Sequence, residues 1–278
     1  MTPRLPILPA PWAGQSGFSW RTVPTGAGWL AAKTPPGTPV RAFRRRPATG
    51  TASCNGSSRP EGDTMTVTLF GETYSVYVRF ARLVLAEKGV AYDLVPVDIF
   101  ADGGPDPEHL KRHPFGKIPA FDHDGFGLHE TLAITRYIDE AFDGPALSPS
   151  SPKQRARMNQ ITALVDSYVY RSMVWGVYTG AISDPREGLP RDDGKIAESL
   201  SRSATCLDAL VELRGDATWM VGEQPTLADF SLAPMLAYFL AVPEAQKLWN
   251  TYPTLHTWWD ALAARESMVS TKGWDFVA

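Results

Sequence analysis

The sequence predicts a mixed α+β domain followed by an all-helical one. Three observations carry that prediction. Over residues 65–143, short strand-like runs interleave with segments of helical apolar spacing. Residues 144–152 are rich in Pro and Ser and read as a linker. From Lys153 onward, over 153–278, strand signals vanish and only helical periods remain.

The elements follow in order. Thr66–Phe70 alternates as a strand, and Tyr92–Val97 reads as a second. Between them Val76–Lys88 has helical spacing through Val78, Ala81 and Leu85, stopped by Gly89. Asp106–Arg112 reads as a short helix with Pro107 at its start. Ala120–Asp122 and Gly127–His129 are strand-like and flank an Asp-Gly turn. Leu132–Phe142 is a helix ended before Gly144-Pro145. The predicted order is therefore β-α-β-α-β-β-α, with the first two strands pairing in parallel across a helical crossover. In the second half, Gln154–Ala181, Lys195–Arg214, Leu227–Leu240 and Thr254–Ala264 read as helices. Thr226-x-x-Asp229 forms a capping box ahead of the third, which is nearly all apolar and so buried. The tail after Glu266 carries no clear signal.

Composition narrows the function classes. The 278 residues suffice for two modest domains, and a hydrophobic content of 44% is ordinary for a globular chain. A net charge of −3 gives no reason to expect nucleic acid or an anionic membrane as partner. Two cysteines, Cys54 and Cys206, make neither a disulfide framework nor a zinc motif, so no metal is expected and the setting reads as cytoplasmic. No apolar run reaches spanning length: Leu227–Val242 is too short and carries Asp229 and Pro234.

Residues 1–64 differ from the rest. They are rich in Pro, Gly, Arg, Ser and Thr, carry no acid before Glu61, and show no sustained period. Such a segment buries too little apolar surface to offset ordering and reads as a disordered extension. A transit peptide and a basic tail are alternatives; an upstream stretch with Met65 as the natural first residue is the reading preferred.

Arg112–Thr135 concentrates the chemistry. It offers three ways to hold an extended, anionic, peptide-like ligand: a lysine at Lys117, free backbone beside the proline of Ile118-Pro119, and a helix start at Glu130-Thr131. X-Pro bonds can be cis. Ser75 stands at the start of the first helix, where its hydroxyl can cap the helix or donate to an anion. Each signal alone has a structural explanation: strand-start proline, solvated lysine, Thr131 as a helix cap.

Together they match a family. The chain carries Gly71-x-x-x-Ser75, Lys117-Ile118-Pro119, Glu130-Thr131-x-Ala133-Ile134-x-x-Tyr137-Ile138 and, in its helical half, Thr226-Leu227-Ala228-Asp229. This set resembles the glutathione S-transferases, in particular the serine-type phi and theta classes and their bacterial relatives. The resemblance spans Met65 to the C-terminus and implies a thioredoxin-like first domain. It also implies that Ser75 is the catalytic hydroxyl and favours the glutathione thiolate. Ile118 would pair with the cysteinyl part, Glu130 and Thr131 with the γ-glutamyl end, and Lys117 with the glycine carboxylate. Glutathione would be co-substrate, with no cofactor, and a hydrophobic electrophile the second substrate. Tyr170, Met173, Trp175 and Tyr178, late in the long helix, are the expected electrophile pocket. A homodimer is expected from the same resemblance.

Five features qualify the resemblance. His113 replaces the asparagine of the phi-type Asn-Pro-Phe-Gly run, and the loop Ala101–Pro105 lacks the usual histidine. Thr131 replaces the commoner serine. Position 75 is not cysteine, which speaks against thiol-transferase chemistry. The Ser-Ser-Cys run of maleylacetoacetate isomerases is absent. Two alternatives stay open: a non-catalytic binding or regulatory protein on this fold, and a glutathione-dependent peroxidase or dehalogenase.

Overall fold

Residues 66–101 and 104–273 are described by a computed structural model of the chain. The expectations for residues 1–64 lie outside the described residues. Four short strands form one sheet in the order β2-β1-β3-β4. They are β1 (Val67–Phe70), β2 (Asp93–Val95), β3 (Ala120–His123) and β4 (Phe126–His129). β1 pairs with β2 in parallel, with Leu69 opposite Leu94. β1 and β3 are antiparallel, with Phe70 opposite Ala120, and β3 and β4 form a hairpin with Ala120 opposite His129. The hairpin turns at Asp124-Gly125, both with positive φ, as the Asp-Gly pair predicts. This register brings the exits of β1 and β4 and the entry of β3 to one end of the sheet.

Helix α1 (Val76–Glu87) packs between that sheet and the helical half. Val78, Leu83, Val84 and Leu85 are fully buried, so the helix is apolar on more than one face. α2 (Pro107–Arg112) starts with the expected proline behind an Asp106 cap. α3 (Thr131–Ala141) begins one residue earlier than its apolar period suggests. The C-terminal end of α1 is tied to α3 by Lys88, whose Nζ donates to the Asp139 carbonyl at 2.9 Å and meets its carboxylate at 3.5 Å.

The second half is helical throughout the described residues. α4 (Pro152–Leu164) runs without a break into a π-wound stretch, Val165–Ser183, which ends in the single turn of α5 (Asp184–Arg186). α6 (Asp193–Arg214), α7 (Leu227–Phe239), α8 (Pro243–Trp249), α9 (His256–Ala263) and α10 (Glu266–Ser270) follow, with a 3₁₀ turn, Pro253–Leu255, ahead of α9. Two elements are additions to the sequence reading. α8 is a short helix started by Pro243, and its seven residues show too little period to register. α10 is held by long-range polar contacts that local sequence cannot reveal. Arg265 grips Glu87 through Nε at 2.8 Å and Nη2 at 2.5 Å, Ser267 donates to the same carboxylate, and Arg79 Nη2 donates to the Met268 carbonyl at 3.0 Å.

The capping box of α7 forms as expected, and its acid does more than cap. Asp229 is fully buried. Its Oδ2 accepts from the Thr226 backbone and hydroxyl at 2.7 and 2.9 Å, and its Oδ1 from the Met220 amide and the Trp258 indole at 2.8 Å each. Burial pushes the pKa of this carboxyl up, and the four donated bonds pull it back. Asp229 therefore joins the loop before α7, α7 itself and α9. Replacing it with Ala strands the Met220 amide and the Trp258 indole in the core. The expected loss is about 3 kcal/mol of unfolding free energy, read from the urea midpoint.

Candidate active site

Ser75 closes the loop from β1 to α1. It is the N-cap of α1, with φ −75° and ψ 123°, and its Oγ accepts from the Val78 amide at 3.3 Å. Capping is thus real, and it uses a lone pair. The O–H proton remains to be donated, at the positive end of the helix dipole. The loop before it is tightly packed. An ideal Cβ at Gly71 would lie 2.4 Å from Val78 Cγ2 and 3.3 Å from Ile118 Cβ, which is why no side chain stands there. Gly71 therefore brings the Ser75 loop directly against Ile118.

Ile118-Pro119 is cis, and Ile118 is buried just ahead of the ladder that begins at Ala120. Lys117 is exposed, and its carbonyl faces His109 Nε2 at 2.8 Å. Glu130 follows β4 at once. The structure corrects the expected cap here. Glu130, not Thr131, is the N-cap of α3, and Thr131 is the first helical residue. Glu130 sits in the left-handed region with φ 70°, and its side chain makes no capping bond. A non-glycine residue held there costs on the order of 1–3 kcal/mol, and such outliers cluster at ligand sites. The carboxylate is exposed beside the first turn of α3, with the partly exposed Thr131 next to it. Ser75, Ile118 and Glu130 thus stand on adjacent connections at one end of the sheet.

His113 is buried, with its ring 5.0 Å from that of His129 and 6.2 Å from that of His109. Burial lowers its pKa, and the neighbouring His129 lowers it further. Where the phi-type run has asparagine, the chain has an imidazole packed against His129, the residue before Glu130. Among the described residues no group of His, Cys, Asp and Glu could hold a metal ion.

The expected electrophile-pocket residues do not share one face. Met173 is fully buried and belongs to the hydrophobic core, whereas Trp175 is 49% exposed. Trp175 follows Met173 by two residues, and residues two apart on a helix point to different faces. Tyr170 packs on Tyr77 of α1, ring centroids 4.7 Å apart, and Tyr77 donates to Asp166 at 2.7 Å. Tyr178 is buried edge-on against Tyr238 of α7, centroids 4.5 Å apart. The Tyr238 hydroxyl in turn donates to the Tyr74 carbonyl, one residue before Ser75. Sequence reasoning passed over Tyr238, because it lies in an almost unbroken apolar run.

Comparison with known proteins now decides the family. The N-terminal domain of glutathione S-transferases matches residues 65–140, and the C-terminal domain of the same family matches residues 193–261. A protein of Oryza sativa subsp. japonica named probable glutathione S-transferase is 31% identical over 206 residues, 73% of this chain and 93% of its own. The chain belongs to the glutathione S-transferase family. A glutathione S-transferase of Arabidopsis thaliana is 30% identical over 74% of this chain and 94% of its own. The crystal structure of a glutathione transferase of Populus trichocarpa superposes with a TM-score of 0.68 at 26% identity, covering 74% of this chain and 96% of that one. The thioredoxin-like reading of the first domain, with its mixed four-stranded sheet, and the helical reading of the second agree with this family's architecture.

The backbone of Glu130 makes one prediction. Glu130→Gly removes a strained left-handed conformation together with the carboxylate. Melting temperature should hold or rise; if the carboxylate is a ligand contact, glutathione affinity should fall roughly tenfold, the scale of one charge-assisted bond. A parallel fall in both would contradict the separation of backbone strain from ligand contact.

Proposed function

We propose that the protein is a glutathione transferase that activates the glutathione thiol and directs it at an electrophilic small molecule. The observation that carries the reading is the placement of Ser75: an N-cap hydroxyl with its proton undonated, at the end of the sheet shared by Ile118 and Glu130. Membership of the family supports it independently.

The mechanism follows from that geometry. Glutathione lies extended along the entry of β3. Its cysteinyl backbone pairs with Ile118, its γ-glutamyl end meets Glu130 and the first turn of α3 at Thr131, and its glycine carboxylate meets Lys117. The sulfur then faces Ser75. The Ser75 O–H and the dipole of α1 favour the thiolate over the thiol, and the proton leaves to solvent. The thiolate forms a C–S bond to the electrophilic carbon as the leaving group departs with its electron pair. The chain contributes positioning and charge stabilisation and needs no metal or organic cofactor for this step.

The electrophile is hydrophobic on this reading, and it meets the thiolate where Tyr170 and Tyr178 approach α1 and the Ser75 loop. The exposed aromatic side chains of Phe115, Phe126 and Trp175 suit a homodimer contact. Reduced glutathione is required, which favours a reducing compartment such as the cytoplasm. Among the described residues no helix is long and apolar enough to cross a membrane.

Titration calorimetry with glutathione tests the reading. Binding at millimolar concentration or tighter is expected, with glutathione-dependent release of halide from an aryl halide. No heat at millimolar glutathione would favour a non-catalytic role on the same fold. Light scattering should return twice the chain mass, and a monomer would rule out the dimer.

A further inference from the structure

We propose that Tyr238 is a positioning residue for the glutathione thiolate, acting through the peptide that carries Ser75. The inference rests on the glutathione-transferase reading, which supplies the reacting sulfur.

A planar peptide joins Tyr74 to Ser75, and both of its polar atoms are engaged. The Ser75 amide donates to the Glu72 carbonyl at 3.1 Å. The Tyr74 carbonyl accepts from the Tyr238 hydroxyl. Fixing this plane fixes one side of the Ser75 backbone, and with it the direction of the hydroxyl. The Tyr238 ring is itself held, 7% exposed and pinned edge-on by Tyr178. Burial raises the pKa of Tyr238, so the phenol stays protonated and remains a donor.

A second contact from the helical half secures the preceding carbonyl. An ideal Cβ at Gly273 would lie 2.1 Å from Thr73 O and 3.0 Å from Thr73 C. The backbone after α10 thus lies directly on the Thr73 peptide, where no larger residue fits. The Tyr74 carbonyl is held, and the Thr73 carbonyl closely packed, by elements more than 160 residues away in sequence.

Arg79 adds charge to the arrangement. It lies four residues after Ser75, on the same face of α1, and is 5% exposed. Its Nη2 donates to the Met268 carbonyl, and its Nε has no hydrogen-bond partner among the described residues. The helical half thus supplies the grip on the Tyr74 carbonyl and the Met268 carbonyl that holds Arg79. Small displacements of a reacting group are expensive: about 1 Å can cost on the order of a hundredfold in rate.

Tyr238→Phe removes only the hydroxyl, and Gly273→Ala presses on the neighbouring carbonyl without touching the helical core. Three readouts separate the possibilities. In the ligand-free proteins, amide exchange over residues 73–78 should quicken in both variants. With glutathione bound, the thiol pKa, followed by thiolate absorbance, should rise by about one unit, and kcat/KM at neutral pH should fall about tenfold. The loss should be recovered at higher pH, and KM for glutathione should stay within about twofold, because Lys117, Glu130 and Thr131 lie on other connections. Unchanged exchange in both folded variants overturns the proposal. So does faster exchange with an unchanged thiol pKa, or a loss carried by KM alone. A wild-type protein that binds no glutathione overturns the transferase reading instead, and exchange still reports whether Tyr238 holds the loop.

Discussion

The docking of α1 between the sheet and α7 is the constraint on which the rest depends. α1 is buried on most of its surface, by the sheet and α3 on one side and by α7 and α10 on the other. Its N-terminus is left partly open at Ser75, as are Tyr77, Arg82, Ala86 and Glu87 along its length. A largely buried helix that is partly open at its positive end is suited to an anion. Apolar burial of Val78, Leu83, Val84 and Leu85 supplies the hold, and polar contacts to Arg79 and Glu87 set the register. α7 can serve as the opposing surface because Asp229 anchors it to α9 and to the loop before it.

The sheet gathers Ser75, Ile118 and Glu130 by register rather than by nearness in sequence. Because β1 and β3 are antiparallel, the exit of one meets the entry of the other, and β4 returns to the same end. Three connections with no sequence neighbourhood therefore stand side by side. Each is stiffened by a backbone feature that excludes slack: close packing at Gly71, the proline at Pro119, and the left-handed Glu130. Precision at the site comes from these short connections on rigid elements, which keeps the hydroxyl, the free backbone and the carboxylate in fixed relation.

Much of this was legible in the sequence, for identifiable reasons. The Asp-Gly turn, the Pro107 start of α2 and the Thr226–Asp229 capping box are local signals, and each appears where its residues predict. The interleaving of strand and helix runs gave the mixed sheet its order. The illegible features lack such a local signal. No local pattern marks Tyr238 as a donor to the Tyr74 carbonyl, or Gly273 as the residue that fits against Thr73. Met173 and Trp175 were grouped by resemblance, but they stand two residues apart on the helix, and one is core while the other is exposed. Glu130 as N-cap was hidden because an acid with φ 70° is not the residue that propensity would choose.

The central claim is that the Ser75 hydroxyl makes the thiolate, and removing that hydroxyl tests it directly. In Ser75→Ala, glutathione binding measured by calorimetry should stay within a few fold of wild type, since the other contacts lie elsewhere. Turnover of an aryl halide with glutathione should fall by about a hundredfold or more, the scale on which a single donor to a developing anion contributes. A folded Ser75→Ala protein with wild-type turnover would contradict the account.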